Sequence, residues 1–331
     1  MFHYTEQRGS VMENLLKRIE ETGIVPVVKI ERVEDAVNLA AALREGGLPC
    51  AEITFRTSAA AGAIGQITSA FSDMLVGAGT VLTTEQANAA IEAGAHFIVS
   101  PGLNLAVVKY CVERGFPVIP GIATPSELEQ AISFGLKAVK FFPAENAGGI
   151  AMIKAMSAPY TDIKFMPTGG INAENLNSYL DFPKVIACGG SWMVKPELIN
   201  AGDFEAIKGL ARQAVEKMLG FSVAHIGINQ PDQNSAESAA VRFAELFGFE
   251  QKHGNSSIFA SAGIEIMKGA GLGASGHIAI KTNYINRAMA YLRRAGAEFD
   301  MGTAKYDEKG KLKAVYLKEE IGGFAIHLVQ K

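Results

Sequence analysis

Cysteine is scarce in this chain, and no two cysteines are spaced as CxxC. The 331 residues contain three cysteines, Cys50, Cys111 and Cys188. An odd, widely spaced set is typical of a reducing compartment, because a disulfide framework needs paired thiols. We therefore expect a cytoplasmic protein without structural disulfides.

An excess of charge of one sign is also missing. The chain has 31 basic and 34 acidic residues, which gives a formal net charge of -3. This balance sets up no overall field that would attract a polyanion, so nucleic acid is not an expected partner. A local site for a phosphate group is compatible with this balance of charges.

Long apolar runs are absent as well. The first residues, MFHYTEQRGSVMENLLKR, lack the apolar core of about 7 to 15 residues that a signal peptide carries. No later run approaches the roughly 18 residues of a membrane span. We expect neither export nor a membrane partner. Met12 offers a second possible start, so the sequence leaves open whether residues 1–11 belong to the native chain.

Short apolar runs, by contrast, recur through the first part of the chain at intervals of roughly twenty residues. The eight runs are GIVPVVKI, PCAEITF, MLVGAGTV, HFIVSPG, FPVIPGI, AVKFFP, IKFMPTGG and VIACGGS. The segments between them are rich in Ala and Glu at helical spacing, and several end on Gly. Eight alternating strand and helix units predict an α/β fold, a closed (β/α)8 TIM barrel over residues 12–219. A doubly wound open sheet is the alternative.

The rhythm changes at about Gly220. FSVAHIGIN reads as a strand, AAVRFAELFG as a helix and SSIFASAGIEIMKG as two strands. A similar order follows in GHIAIKT, NRAMAYLRRAG, AEFDM, KAVYLKE and GGFAIHLVQ. Residues 221–331 are therefore predicted to form a second, α+β domain of two βαβββ modules.

Lys140 is the candidate nucleophile of the first domain. Strand alternation in AVKFFP sends it to the face opposite Val139 and Phe141, which is the interior of a small barrel. A desolvated amine loses proton affinity and can attack a carbonyl to form a Schiff base. A lysine paired with a carboxylate, or one that binds phosphate as a cation, fits the pattern equally. Lys29 and Lys164 are further candidates.

Three polar residues share one face of the second strand. In AEITFRT, Glu52, Thr54 and Arg56 alternate with Ile53 and Phe55, so they point where a barrel needs a core. A carboxylate beside a cation can shuttle protons, and arginine can bind a substrate carboxylate bidentately. A structural Glu52–Arg56 ion pair is the alternative. Thr80, at the end of the third strand, would add a hydroxyl to the same cavity.

Two glycine turns follow the last two predicted strands, where barrels often bind phosphate. Exposed backbone N–H groups in such turns suit an anion. The residues concerned are Thr168, Gly169 and Gly170 in PTGG, and Gly189, Gly190 and Ser191 in CGGS. Together the two turns predict a phosphorylated or otherwise anionic substrate.

Seven motifs closely resemble those of the class I KDPG/KHG aldolase family. They are EITFRT, GAGTV, SPGL, IPGI, KFFPAE, PTGGI and GGSW, in this order within residues 12–218. The resemblance implies cleavage of 2-keto-3-deoxy-6-phosphogluconate (KDPG) to pyruvate and glyceraldehyde 3-phosphate, or of 4-hydroxy-2-oxoglutarate (KHG) to pyruvate and glyoxylate. It also implies a homotrimer and no cofactor for the aldol step.

The same resemblance implies a role for each site residue. Lys140 is the Schiff-base lysine, and Glu52 is the general acid and base. Arg56 and Thr80 contact the pyruvate portion, and Pro101 and Phe142 line the pocket. The glycine turns, with Ser191, hold the distal phosphate. A catalytically silent sugar-phosphate sensor is the alternative, although the presence of both Glu52 and Lys140 argues against it.

Residues 221–331 resemble the vicinal-oxygen-chelate family, which includes glyoxalase I and extradiol dioxygenases. The resemblance rests on HIGIN, IEIMK, GHIAIKT and FAIHLVQ, and the implied metal ligands are His225, Glu265, His277 and His327. Three imidazoles and a carboxylate suit Zn²⁺, Ni²⁺, Mn²⁺ or Fe²⁺. His327 stands where glyoxalase I carries a glutamate, which argues against glyoxalase activity. An inert accessory domain and a metal-dependent keto-acid isomerase or epimerase are both left open.

Overall fold

The computed structural model describes residues 2–331, with side chains described from Val11 onward. Contacts between Cα atoms divide the chain into two compact units, and the division falls between Met218 and Leu219. Within the described residues, no helix combines the length and the apolarity needed to cross a membrane.

The first unit alternates strands and helices. Its strands are β1 Ile24–Val28, β2 Cys50–Thr54, β3 Leu75–Gly79, β4 Phe97–Val99, β5 Val118–Ile119, β6 Gly121–Ile122, β7 Ala138–Phe141, β8 Lys164–Pro167 and β9 Cys188–Gly190. Its helices are α1 Phe2–Thr22, α2 Ala36–Glu45, α3 Ala60–Ala70, α4 Thr84–Glu92, α5 Leu105–Glu113, α6 Pro125–Ser133, α7 Gly149–Ser157, α8 Leu176–Leu180, α9 Pro196–Asn200 and α10 Phe204–Leu219.

All strand pairs in this unit are parallel. One group has the order β5-β4-β3-β2-β1-β9, and a second has the order β6-β7-β8. Single bridges between Phe165 and Val185 and between Thr168 and Gly189 connect the β8 segment to the β9 segment. The unit is therefore an α/β fold built on a curled parallel sheet.

The run FPVIPGI, predicted as one strand, forms two short strands. β5 and β6 are separated by Pro120, which has no N–H to contribute to a ladder. The Pro120 carbonyl still accepts a hydrogen bond from the backbone N–H of Lys140, 2.8 Å away. β5 pairs with β4, and β6 pairs with β7, so each short strand bonds to a different neighbouring strand.

Local signals in the sequence account for where helices begin. α6 starts with a capping box, in which the Thr124 hydroxyl accepts from the Glu127 N–H while the Glu127 carboxylate accepts from the Thr124 N–H. Pro125 occupies the first turn of this helix, where its missing N–H costs nothing. The side chains of Thr83 and Asn104 cap α4 and α5 by accepting hydrogen bonds from backbone N–H groups of the first turn.

Helix α1 packs on the amino ends of the strands. Its Leu15 and Ile19 belong to a buried apolar cluster with Cys50, Leu75 and Ala138, which are the first residues of β2, β3 and β7. This helix lies outside the elements predicted from the sequence. Because α1 covers the amino ends, the carboxyl ends of the strands are the open side of the sheet. Barrel enzymes carry their active sites on that side.

The second unit contains one mixed sheet of eight strands. These are β10 Ser222–Asn229, β11 Lys252–His253, β12 Ser257–Ser261, β13 Ile264–Met267, β14 Gly276–Thr282, β15 Phe299–Tyr306, β16 Leu312–Ile321 and β17 Phe324–Gln330. The strand order is β11-β12-β13-β10-β14-β17-β16-β15, with β10 parallel to β13 and antiparallel to β14. Helices α11 Gln233–Phe247 and α12 Ile285–Arg294 follow β10 and β14.

Candidate active site and candidate metal centre

A buried ion pair occupies the interior of the first unit. The Nζ of Lys140, on β7, lies 3.1 Å from Oε1 and 3.4 Å from Oε2 of Glu52, on β2. The side chains are 6% and 0% exposed, so almost no water reaches either group. The neighbours Val139 and Phe141 are fully buried. The amine and the carboxylate are thus close enough to exchange a proton directly.

The missing side chain of Gly79 makes room for Glu52. Gly79 is paired with Thr54 on the neighbouring strand, and a Cβ built on it would overlap the Glu52 carboxylate. A larger residue at this position would therefore push the carboxylate away from Lys140. The glycine in the GAGTV motif is a packing requirement of the ion pair.

A cavity of about 220 Å³ opens at the carboxyl ends of these strands. Eight of the predicted site residues line it, namely Arg56, Phe142, Thr168, Gly169, Gly170, Gly189, Gly190 and Ser191. Lys140 and Glu52 are not among the lining residues, but Phe142 and Thr54 are. Each of these follows the buried residue by two positions, so the ion pair lies one layer deeper than the cavity lining.

Arg56 contacts Thr80 rather than Glu52. Its Nε donates to the Thr80 hydroxyl at 3.3 Å, and Thr80 has a φ of 54°, which is uncommon for a residue with a branched Cβ. Glu52 pairs with Lys140, so the alternative of a Glu52–Arg56 ion pair is wrong. Pro101, predicted to line the pocket, is half-buried after β4 and lies outside the cavity lining.

Thr168 carries an orphaned polar atom at the cavity. Its hydroxyl oxygen is buried and, among the described residues, has no hydrogen-bond partner. Thr168 lines the cavity at the start of the first glycine turn. Because buried polar atoms are nearly always satisfied, this hydroxyl is available to a ligand.

The two other candidate lysines differ from Lys140. Lys29 lines the cavity, but its Nζ pairs with Glu31 at 2.8 Å and its side chain is 40% exposed. Lys164 donates to the carbonyl of Pro183 and is not a lining residue. Neither has the buried carboxylate partner of Lys140.

Some lining residues were not predicted from the sequence. They are Val27, Ile171, Val194 and Pro196. Val27 alternates with Val28 along β1 and could have been found by the same two-residue spacing that identified Glu52. The other three lie outside strands, where alternation gives no signal.

In the second unit, three predicted metal ligands form a tight triangle. The Nε2 atoms of His225 and His277 are 3.1 Å apart, and Oε2 of Glu265 lies 3.2 Å from each of them. Two ligands about 2.1 Å from one ion would be about 3.0 Å apart at right angles and about 3.4 Å apart in a tetrahedral site. The spacing of these atoms therefore fits a shared metal ion.

His327 is the fourth predicted ligand, and its imidazole is buried without partners. Among the described residues, neither of its ring nitrogens has a hydrogen bond. Burial, together with the neighbouring His277 and His225, lowers the pKa of His327 to about 3. His225, His277 and His327 each offer a ring nitrogen within 4.8 Å of the other two. A neutral imidazole with two orphaned nitrogens suits a metal ligand.

Neighbouring side chains hold the cluster in place. The Ser257 hydroxyl donates to Oε1 of Glu265 at 2.5 Å, which leaves Oε2 directed at the two histidines. Burial raises the pKa of Glu265, but the bonds from His225, His277 and Ser257 outweigh it, so the net pKa lies well below its usual range. The Tyr316 ring stacks on His327 with 4.5 Å between centroids. Such outer contacts orient ligands in metal sites.

Comparison with known proteins identifies the family of the first unit. Residues 15–210, more than half of the chain, match the sequence model described as KDPG and KHG aldolase. The chain belongs to this family. It is 52% identical to the 2-dehydro-3-deoxy-phosphogluconate aldolase of Treponema pallidum over 205 residues, which are 62% of this chain and 98% of that protein. It is 44% identical to the KHG/KDPG aldolase of Escherichia coli K12 over 193 residues, 58% of this chain and 91% of that protein.

Solved structures give the same relationship. The KDPG aldolase of Legionella pneumophila, with pyruvate captured as a covalent carbinolamine, is 40% identical with a TM-score of 0.58. The match covers 60% of this chain and 97% of that one. The aldolase of Zymomonas mobilis ZM4, solved with 3-phosphoglycerate, is 37% identical with a TM-score of 0.57. That match covers 61% of this chain and 95% of that one.

Proposed function

We propose that the first unit is a class I aldolase that cleaves KDPG to pyruvate and glyceraldehyde 3-phosphate, and that also accepts KHG. The observation that carries this proposal is the buried pair of Lys140 and Glu52 beneath an anion-compatible cavity. Membership of the aldolase family and the covalent pyruvate adduct of the Legionella relative support it.

The chemistry begins at Nζ of Lys140. Glu52, 3.1 Å away, takes a proton from the ammonium, and the neutral amine attacks the C2 ketone of the substrate to form a carbinolamine. Glu52 returns the proton to the departing hydroxyl, and loss of water leaves a protonated imine. Glu52 then takes the C4 hydroxyl proton while the C3–C4 bond breaks and its electron pair moves to the iminium nitrogen. The aldehyde leaves, the enamine is reprotonated at C3, and hydrolysis releases pyruvate.

The remaining predicted residues bind the two ends of the substrate. We assign Arg56 and Thr80 to the pyruvate carboxylate, because guanidinium binds carboxylates bidentately. Phe142 forms the wall above Lys140, its ring centroid 5.5 Å from Nζ. The Gly169–Gly170 turn and the residues Gly189 to Ser191 at the end of β9 take the distal phosphate, and the 3-phosphoglycerate in the Zymomonas relative is in keeping with an anion site.

We further propose that the parallel strands form one closed (β/α)8 barrel over residues 12–219, with β5 and β6 as one interrupted strand. The two single bridges from the β8 segment to the β9 segment support closure. Residues 221–331 then form a vicinal-oxygen-chelate domain of two βαβββ modules, in accord with the order of β10 to β17 around α11 and α12. A homotrimer and a cytoplasmic location stay predictions.

Pyruvate release from KDPG tests the proposed activity. We expect turnover by the wild type, none by Lys140→Ala and normal turnover by Lys164→Ala, since the Lys164 amine donates to the Pro183 carbonyl and does not line the cavity. KHG serves as the second substrate and defines the contribution of the phosphate. Wild-type protein that binds KDPG without releasing pyruvate would instead support the silent sensor.

We propose a second function, divalent transition-metal binding, for His225, His277, Glu265 and His327. The orphaned nitrogens of His327 and the triangle of the other three ligand atoms carry this proposal. A metal held here would polarise a substrate oxygen, which suits a keto-acid isomerase or epimerase. Ser257 and Tyr316 would orient the ligands.

Elemental analysis of protein purified without a metal-affinity column tests the metal site. We expect about one equivalent of Zn, Ni, Mn or Fe per chain. His277→Ala should lose it, and His253→Ala should keep it, because His253 is exposed and contacts Gln251 outside the cluster. If the wild-type protein is purified without metal and binds no metal on titration, the domain is an accessory domain without a metal ion.

A further inference from the structure

The peptide groups of the first glycine turn have their carbonyls turned away from the cavity. The Gly169 carbonyl accepts from the Glu145 N–H at 3.1 Å, and the Gly170 carbonyl accepts from Nδ2 of Asn175 at 3.0 Å. In a trans peptide the carbonyl and the following N–H point in opposite directions. The N–H groups of Gly170 and Ile171 therefore point away from these partners, and both residues line the cavity.

The side chain of Glu145 packs directly on this turn. Glu145 belongs to the loop after β7, and a Cβ on Gly170 would lie 2.5 Å from its Cγ and 2.7 Å from its Cβ. Gly170 has a φ of 81°, in the region that favours glycine. The turn and the Glu145 side chain thus fit together only because residue 170 has no side chain.

A residue on the other side of the glycine turn fixes the Glu145 carboxylate. The hydroxyl of Tyr179, on α8, donates a short hydrogen bond to Oε1 of Glu145. Burial raises the pKa of Tyr179, and the bond to Glu145 raises it further, so the phenol stays protonated and remains the donor. Tyr179 is almost fully buried, so it can hold an otherwise exposed glutamate in place.

We infer that Glu145 and Tyr179 are positioning residues for the distal phosphate. Neither touches the cavity. Their hydrogen bond joins the loop after β7 to α8 and holds the Gly169–Gly170 turn between them, an arrangement we call the clamp. The turn then presents its N–H groups to the anion. This inference rests on the proposed phosphate subsite, and it assigns a role to a glutamate of the KFFPAE motif that the reaction itself leaves unused.

Tyr179→Phe is the decisive variant, because it removes one hydroxyl and keeps the ring. We expect the KM for KDPG to rise about tenfold, the effect of losing a hydrogen bond to a charged group. The kcat for KDPG, and both constants for KHG, which carries no phosphate, should stay within about twofold of wild type. Glu145→Ala should match Tyr179→Phe, and Glu145→Gln, which keeps an acceptor oxygen, should recover most of the loss.

Tyr160→Phe is the matched control. Tyr160 also donates to a glutamate, Glu129, at 2.9 Å, but neither residue lines the cavity. Its KM for KDPG should equal that of the wild type. Equal melting temperatures of Tyr179→Phe and Tyr160→Phe would exclude a general loss of packing.

Binding of inorganic phosphate, measured by calorimetry, needs no turnover, so it distinguishes failure of the clamp from failure of the aldolase proposal. Phosphate binding that weakens about tenfold in Tyr179→Phe supports the clamp even if KDPG proves not to be a substrate. Unchanged phosphate binding and unchanged KM in Tyr179→Phe would overturn it while leaving the aldolase proposal intact. An equal rise of KM for KDPG and KHG would also overturn it, because the effect would then not concern phosphate.

Discussion

Nζ of Lys140 lies 3.1 Å from Oε1 of Glu52, although the two residues are 88 positions apart in the chain. β7 supplies the amine and β2 supplies the carboxylate, and both point into the same water-poor interior. A buried pair of this kind is held together strongly but contributes little net stability, because both charges have lost their hydration. Its role is therefore chemical: the pair donates and accepts protons beside the site of the substrate carbonyl.

Breaking the buried pair on one side should cost more stability than removing it whole. Lys140→Met leaves the Glu52 carboxylate buried without a partner and should lower the free energy of unfolding by about 3 kcal/mol. The double variant Lys140→Met with Glu52→Gln should recover most of this loss. Denaturant unfolding of the wild type, both single variants and the double variant gives the coupling energy. Additive single effects would mean that the two groups do not interact.

Glu52→Gln should retain the Schiff-base lysine but lose its proton shuttle. We expect kcat for KDPG to fall by about 10² to 10⁴-fold, the usual contribution of a positioned acid and base. The variant should still form the lysine adduct with pyruvate, only more slowly. A kcat equal to that of the wild type would show that another group moves the protons.

Gly79→Ala tests the space that the Glu52 carboxylate occupies. The new methyl group would overlap that carboxylate, so we expect a loss of kcat that approaches the loss in Glu52→Gln. Gly209→Ala is the matched control, because no atom lies within 4 Å of the Cβ it would add in α10. The comparison requires kcat and melting temperature for both variants. Full activity of Gly79→Ala would contradict the observed packing.

Two buried thiols should make the protein less stable in alkaline solution. Burial raises the pKa of Cys50 and of Cys111 to about 12, from an ordinary value near 9.0. Above pH 9 the unfolded chain therefore loses protons that the folded chain keeps, so stability falls as the pH rises. At pH 10 the loss is about 1 kcal/mol for each thiol. Urea unfolding at pH 8 and pH 10 should show a smaller loss in a variant with alanine at both positions. An identical loss in both proteins would refute the shift.

Strand alternation predicted which side chains face the interior, but it did not predict how deep each one lies. Glu52 and Arg56 were predicted to share a face of one strand, but β2 ends at Thr54. Glu52 is therefore fully buried within β2, whereas Arg56 lies in the turn that follows, where it is exposed and bonded to Thr80. A period of two gives the direction of a side chain but carries no information about where the strand ends or how deeply each side chain is buried. For this reason the sequence left open whether Glu52 shuttles protons or forms a structural ion pair with Arg56.

Contacts made by loops and termini could not be predicted from the sequence, for a related reason. Helix α1 and the interruption at Pro120 depend on packing between segments that no local periodicity relates. The bond from Tyr179 to Glu145 joins a helix to a loop 34 positions earlier. The Gly169–Gly170 turn was easier to predict, because adjacent glycines at a strand end commonly form turns. Gly189 and Gly190 were predicted as a second turn, but they belong to β9 and pair with β1.

Reductive trapping with pyruvate tests the central claim most directly. Incubation of the wild type with pyruvate and sodium borohydride should add one reduced pyruvate to the peptide that contains Lys140, as seen by mass spectrometry. Lys140→Ala should give no adduct, and Lys164→Ala should give the adduct at Lys140. An adduct on Lys29, or the absence of any adduct in active wild-type enzyme, would contradict the account.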